Sequence, residues 1–492
     1  MRPIDVPTGK GATLSNLTSP PPTAAEAAAH PETRGIDLIS PGERRGRPRD
    51  LIAVWAAPNV SVLSLTVGAS LVLVLGLEIW QAVALIAVSN LLWVFPGVLA
   101  TSGPAVGTSG SVITRAIYGI RGNRAIVALL GWLISGVFLA LNWVTSTFMG
   151  SELLTRFGVG DGGFWTAAGV SIVIAAITVL VAVYGHGLIL RAYTFVTITL
   201  LAVFTIAVAF LAPHMDLSFV QPEPLHGLEL WSSLSIGFAI LASGPMSYNN
   251  SADLARYLPR SASPVHVALA TAVGGAVPGF IFTAVGALLA TAVGVSALEF
   301  GIEYALLDLM PGWFGPVFVF AIILNTIALN GMTTYTASMA LQAVGVPIRR
   351  IPSAVVIGVL GTAFTIYLAA STSLIDAVNL MLQFLLIVSV PSITIYAVDV
   401  LLRRNRYEAL ELFDESRTSR YWYRGGFNPA GIVAFTVGAI ATALFLSTDV
   451  WTGPLAIALG YIDLAAPVGI VVSALVYALL ARPGIARTPA LS

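Results

Sequence analysis

The chain has 492 residues, 57% of them hydrophobic and only 10% charged, with no cysteine and a formal net charge of zero; its mean hydropathy is +0.88. Soluble domains carry about 25% charged residues, so the composition implies a polytopic, all-α membrane protein and excludes a disulfide framework or a thiolate metal site. Lys10 is the only lysine, which removes a P-loop and with it ATP-driven transport by this chain alone; no enzyme signature is present.

Apolar runs of about 17–25 residues predict twelve spans, near 51–75, 79–100, 125–149, 164–184, 194–212, 230–250, 265–293, 314–344, 353–371, 377–402, 431–447 and 461–481. Of the 24 basic residues, 23 fall in connections on one side of these spans, and Arg156 alone falls on the other. The positive-inside rule makes the arginine-bearing side cytoplasmic, with both termini inside; the expected location is the plasma (inner) membrane. Glu78, Glu152, Asp161, Asp216, Glu223, Glu229, Glu299, Glu303 and Asp308 concentrate opposite.

Residues 1–50, rich in Pro, Ala, Thr and Gly, read as a disordered cytoplasmic tail whose Arg44, Arg45, Arg47 and Arg49 can meet anionic headgroups. The first apolar run lies behind this hydrophilic tail, unlike a signal peptide. The first span is interrupted at Ala56-Ala57-Pro58-Asn59. The connection from Gly103 to Arg124 is punctuated by glycine and reads either as a plain turn or as a segment that packs under the bundle.

On the third span Phe138 and Asn142 lie four residues apart and share a helix face. An aromatic face beside an amide suits a flat heteroaromatic ring; the competing reading is helix packing, with Asn142 bonding a neighbouring helix. His214 and His226, with Asp216, Glu223 and Glu229, match no ligand spacing, so no metal site is expected in that loop. The five histidines lie in the tail, loops or helix ends, which leaves no intramembrane pair for a metal or haem.

The sixth span carries Ser243, Gly244, Pro245, Ser247, Asn249 and Asn250 in its middle. A freed backbone amide in hydrocarbon costs several kcal/mol, so such a break persists only against protein or a watery cavity. Two interrupted spans, the first and the sixth, point to an inverted-repeat secondary transporter with its site at the midplane; simple kinking is the alternative. The eighth span adds Asn325 and Asn330. Asparagine offers both an acceptor and donors, which suits a neutral, planar, amide-like ligand. Asp253 and Arg256 fall at the cytoplasmic end of the sixth span and read as a structural or gating ion pair. No carboxylate sits deep in a span, since Asp376, Asp399 and Asp463 are near predicted ends.

The domain reading is a tail over 1–50, a ten-helix core over 51–402 with repeats at about 51–212 and 230–402, a charged linker over 403–430, two trailing helices over 431–481 and a tail over 482–492. Residues 448–463 read as either a re-entrant piece or the start of the last helix.

Several motifs together carry a resemblance: Gly46-Arg47-Pro48-Arg49-Asp50 before Trp55-Ala56-Ala57-Pro58-Asn59, Gly103-Pro104-Ala105 with Arg121-Gly122-Asn123, and Asp253-Leu254-Ala255-Arg256-Tyr257-Leu258-Pro259. From about Glu32 to the last span the chain resembles the purine-cytosine permease group of the nucleobase:cation symporter family. The resemblance implies a LeuT-type fold of inverted five-helix repeats plus two extra helices, importing a nucleobase or related ring (purine, cytosine, hydantoin or allantoin type) with a cation. It places Phe138 and Asn142 at the substrate, where the family usually has Trp at the first position, and draws Asn59, Ser247, Tyr248, Asn249, Asn330 and Thr333 into the lining. Thr333 stands where the family often has Asn, and Tyr248 is the nearest aromatic to a Trp of the sixth break, so the resemblance allows an altered substrate. Trp132 and Trp143 either line the site in compensation or pack.

A sodium site of this resemblance would use carbonyls near Ala56 with oxygens of Asn325 or Thr326, since Ile327, Ala328 and Leu329 carry no hydroxyl. The coupling cation stays open between sodium and proton, and no other cofactor is expected. The alternatives are a transporter of the same fold for an amino acid or a vitamin-like amine, and a receptor that binds without transporting. The expected partners are a small heterocycle and the lipid bilayer, with no nucleic acid and no obligate protein partner.

Overall fold

In the first span, Pro58 has no amide hydrogen to continue the ladder. Helix α1 (Asp50–Asn59) therefore ends there, with Val60 N bonding Ala56 O at 3.0 Å and the carbonyls of Ala57 and Pro58 released from the helix. Ser61 restarts the chain by accepting from Leu63 N at 3.1 Å, and α2 (Val62–Leu73) leaves at 56° to α1. The computed structural model describes Glu32 and residues 34–127, 130–132, 135–294, 302–370, 374–448 and 451–486. Expectations for residues 1–31 and 33, for Glu299 and for 487–492 lie outside those described residues, as does that for the Asp376 side chain.

The second span joins α3 (Ile79–Asn90) and α4 (Val94–Ala100). After α5 (Ser135–Arg156), α6 (Phe164–Tyr184) and α7 (His186–Leu211) comes the second break. There α8 (Gly227–Ser243) stops at Gly244, one tight turn covers Pro245–Ser247, and α9 (Ser251–Ala255) follows. The remaining long helices are α10 (Pro264–Leu289), α11 (Gly315–Ala343), α12 (Arg350–Ala370), α13 (Leu374–Arg403), α14 (Pro429–Phe445) and α15 (Ala465–Ala486). Among the described residues eight helices are long and apolar enough to cross a membrane, or nine with α1 and α2 as one bent span. The twelve read from the sequence require α5, the broken α8/α9 and the short α14 to be counted too.

Two groups of helices face each other. In one, α2 lies against α10 with backbones touching: a Cβ at Gly68 would come within 1.9 Å of Thr283 O, and one at Gly286 within 2.1 Å of Leu65 O. Such small-residue contact is how helices associate where no hydrophobic gain is available. In the other, α5, α6, α11 and α12 pack together, while α13, α14 and α15 form a separate flank.

The tail was expected to be disordered up to residue 50, and here the structure differs. Ile39 is fully buried, its N bonds Gly107 O at 2.8 Å, Thr108 Oγ1 donates to Ile36 O at 2.6 Å, and Arg44 donates to Pro104 O at 2.9 Å. Satisfied backbone groups and buried Ile39 offset the ordering entropy that composition alone suggested would win. The linker is also tied down, with Arg115 on Leu412 O at 2.8 Å and on Glu415 at 2.9 Å. Residues 451–464 form neither a long helix nor an extension of α15: they hold the short helix Pro454–Ala458, and Asp463 accepts from Ser447 N and Ala465 N, both at 2.9 Å.

Candidate functional site

Between the two breaks lies a cavity of about 190 Å³, below the 300–1,000 Å³ usual for drug-sized ligands and so matched to a small one. Asn59, Phe138, Asn142, Ser247, Tyr248 and Thr333 line it, which brings six of the eight expected substrate residues together. The other two are elsewhere. Asn330 is fully buried and its Nδ2 donates to Leu139 O at 3.0 Å, tying α11 to α5. Asn249 lines a second, smaller cavity of about 80 Å³.

Two further residues of the second span, Asn90 and Trp93, also line the main cavity. Trp93 stacks on Tyr248 (centroids 5.2 Å apart, planes at 29°) and meets Trp55 edge-on at 5.6 Å; Tyr248 meets Trp55 edge-on at 5.0 Å. Glycine on α10 makes room for them: a Cβ at Gly275 would lie 2.3 Å from the Trp93 ring, and one at Gly279 would lie 3.1 Å from Asn90 Oδ1. Asn90 and Trp93 share their span with Trp80, Gln81 and Ser89, so the sequence did not single them out. Trp143 is fully buried with Nε1 on Thr178 Oγ1 at 3.3 Å, and Trp132 packs beside it, so both serve packing.

One local geometry recurs in the lining. Asn59, Asn90 and Asn142 each turn Nδ2 back onto the carbonyl four residues earlier in their own helix (Trp55 O, Ile86 O and Phe138 O), each at 2.8 Å. Each bond uses one of the two Nδ2 hydrogens and leaves Oδ1 and the second N–H for a ligand. The cavity therefore presents amide acceptors and donors beside the Phe138 ring, a surface for a flat molecule with a polar edge.

The expected cation ligands are engaged otherwise. Ala56 O accepts from Val60 N at 3.0 Å. Asn325 Nδ2 donates to Ala57 O at 2.9 Å and to Pro58 O at 3.5 Å, so an amide nitrogen holds the carbonyls freed by the first break. Thr326 and Ser146 bond each other through their hydroxyls. These oxygens are thus hydrogen-bonded within the protein in this structure.

Asp253 and Arg256 do not form the expected ion pair. Arg256, fully buried, pairs with Glu32 at 2.8 Å and also donates to Gly35 O at 2.6 Å and Tyr335 OH at 3.0 Å. Asp253 lines the second cavity and accepts from Gly110 N at 2.7 Å. The helix turn between them points the two side chains to different elements. Among the described residues no three His, Cys, Asp or Glu side chains converge as a metal site.

Two broken helices facing a central cavity, in a bundle of apolar spans, define a secondary transporter and not an enzyme. A sequence profile for permeases of cytosine and purines, uracil, thiamine and allantoin matches residues 39–469. The chain belongs to that permease family. Its relatives include the putative purine-cytosine permease YxlA of Bacillus subtilis, 25% identical over 468 residues that cover 92% of this chain and 96% of the relative. The purine-cytosine permease FCY2 of Saccharomyces cerevisiae is 24% identical over 458 residues, covering 87% and 81%. Among solved structures, Mhp1, a nucleobase-cation-symport-1 family transporter in a closed conformation with bromovinylhydantoin bound, is 20% identical with a TM-score of 0.70, covering 94% of this chain and 97% of Mhp1. Inward-facing Mhp1 gives 0.64 at 19% identity, covering 93% and 95%. The fold is thus the LeuT type implied by the resemblance.

Proposed function

We propose that the protein is a secondary active importer of a small, uncharged, nucleobase-like heterocycle, working by cation symport and alternating access about the main cavity. The observation that carries this reading is the lining: a Phe138 face beside three amide oxygens whose nitrogens are pinned to their own helices. Stacking supplies about 1–3 kcal/mol, whereas micromolar binding needs about 8 kcal/mol. Hydrogen bonds between the polar edge of the ring and Asn59, Asn90 and Asn142 supply the remainder, which suits rings of purine, cytosine, hydantoin or allantoin type that carry both donors and acceptors.

The arginine-bearing ends of the spans face the cytoplasm of a plasma (inner) membrane, by the positive-inside rule. An amino acid is the weaker reading, because among the described residues no basic side chain lines the main cavity to meet its carboxylate and Ser61 Oγ takes one of the free amides, Leu63 N, at the start of α2. The carbonyls of the first break are held by Asn325, so the coupling cation is read as binding at another place. The test is uptake by sealed vesicles of labelled purines, pyrimidines, hydantoins and allantoin under separate sodium and pH gradients. Uptake of at least one ring against its gradient is the expected result; uptake of amino acids in place of rings overturns the reading.

A further inference from the structure

Asp253 is 2% exposed and sits in a segment that belongs to a broken span. Its Oδ1 accepts from Gly110 N at 2.7 Å, and among the described residues no basic side chain lies within ion-pair distance. Arg256, one turn away, is committed to Glu32, while Arg350 is committed to Ser338 Oγ at 2.5 Å and Ala182 O at 3.0 Å. A buried carboxylate without a contact ion pair is costly, and such a group in a membrane segment takes a proton or a cation or marks an ion path.

The cavity that Asp253 lines offers further acceptors. Asn249 and Asn250 line it, and the Oδ1 of each is buried without a hydrogen-bond partner; Asn250 Nδ2 is occupied by Thr336 Oγ1 at 2.7 Å. Three acceptor-bearing side chains thus share one small space with no donor side chain committed to their free oxygens. This second cavity shares Leu130, Ser135, Ser247 and Asn250 with the main one, so the two adjoin across the sixth-span break.

We propose that Asp253, with the amide oxygens of Asn249 and Asn250, binds the coupling cation in this second cavity. The inference rests on the transport reading above and deepens it by moving the cation from the first break, where Asn325 donates, to the sixth. A proton would bond to a free carboxylate oxygen and leave from it as a proton; a sodium ion would be held by the carboxylate and the two amide oxygens. Both neutralise the same group, and both link ion to substrate through Ser247 and Asn250. The other ionisable groups whose charge reaches Asp253 are Arg256, Arg350, Tyr335 and Tyr396. Tyr118 lines the same cavity. The elements packed on α9, namely Val94–Ala100, Ser102–Val106 and Gly110–Ile113, contribute no titratable side chain.

The experiment uses the full chain in proteoliposomes with the labelled heterocycle that wild type exchanges best. With one cation per substrate, a tenfold gradient of the coupling ion sustains about tenfold accumulation. Asp253→Asn is expected to lose this accumulation under both pH and sodium gradients, with exchange of labelled for unlabelled substrate persisting if the cation is a proton, whose bound form the amide mimics, and falling if it is sodium; Asp253→Glu is expected to recover the gradient response. The ion whose gradient drives wild type identifies the cation. A second measurement leaves the chain unsubstituted: dicyclohexylcarbodiimide, which attacks buried protonated carboxyls, is expected to abolish gradient-driven uptake with the adduct on Asp253. Accumulation by Asp253→Asn that follows the gradient as wild type does, or inactivation with adducts only on other carboxyls, overturns the proposal. Wild type that exchanges no heterocycle overturns the transport reading itself.

Discussion

At the scale of single residues, the site depends on which end of each amide is free. Asn142 holds Phe138 O with its nitrogen at 2.8 Å, so its oxygen and its second N–H are the groups offered to a ligand. Asn142→Ala removes one directed hydrogen bond, a net loss of about 1 kcal/mol, and is expected to raise KM for uptake roughly fivefold with the protein still monodisperse. Unchanged uptake kinetics would remove Asn142 from the site. Phe138 is tested by enlargement: Trp at this position narrows a cavity of about 190 Å³, so Phe138→Trp is expected to shift the preference from two-ring to one-ring substrates. An identical substrate profile in competition assays would place Phe138 away from the ring.

At the scale of elements, α10 positions the aromatic wall. Gly275 leaves only the space that Trp93 fills, since an added Cβ would lie 2.3 Å from the ring, and Trp93 in turn supports Tyr248. Overpacking a tight contact costs about 1–3 kcal/mol. Gly275→Val is therefore expected to lower the melting temperature and to weaken substrate binding together, read by thermal unfolding in detergent and by binding assays; stability lost with binding intact would show that Trp93 does not shape the cavity. The two breaks themselves were legible, because Pro58 and Gly244-Pro245 interrupt apolar runs and backbone chemistry there allows few alternatives. Asn90 and Trp93 were not, because the same span also carries Trp80, Gln81, Ser89 and Phe95, and such scattered polar and aromatic residues fit packing as well as function. Asn325 was named as an oxygen ligand, yet sequence cannot tell which end of an amide meets a carbonyl, and the structure turns the nitrogen toward Ala57 O. The Arg256 partner lies 224 residues away in the chain, beyond any local pattern.

At the scale of the whole molecule, alternating access requires the two helix groups to part at one end and then at the other. At the arginine-bearing end, Glu32 ties three elements together: its carboxylate accepts from Arg256 at 2.8 Å and Tyr257 at 2.8 Å after α9, from Tyr335 on α11 at 3.1 Å, and from His186 N at the start of α7 at 2.8 Å. Burial pushes the Glu32 carboxyl up, but Arg256, Arg350 and His186 outweigh it and hold the group below the ordinary glutamate range. The native state thus favours the ionised form, so this tie is fully present above the ordinary value near 4.5 and is lost as pH falls through the lowered one. The absence of cysteine gives a clean background for measuring it, with Ser111→Cys placing a thiol in the second cavity. Labelling of that thiol by a charged maleimide, divided at each pH by the rate for a free thiol so that the loss of thiolate in acid cancels, is expected to stay low from pH 8 down to about 5 and to rise only in stronger acid. Glu32→Gln leaves buried Arg256 without its countercharge and is expected to speed labelling about tenfold at neutral pH, the change produced by about 1.4 kcal/mol. Equal labelling rates with and without Glu32→Gln would mean that this end is held closed by helix packing and not by the tail.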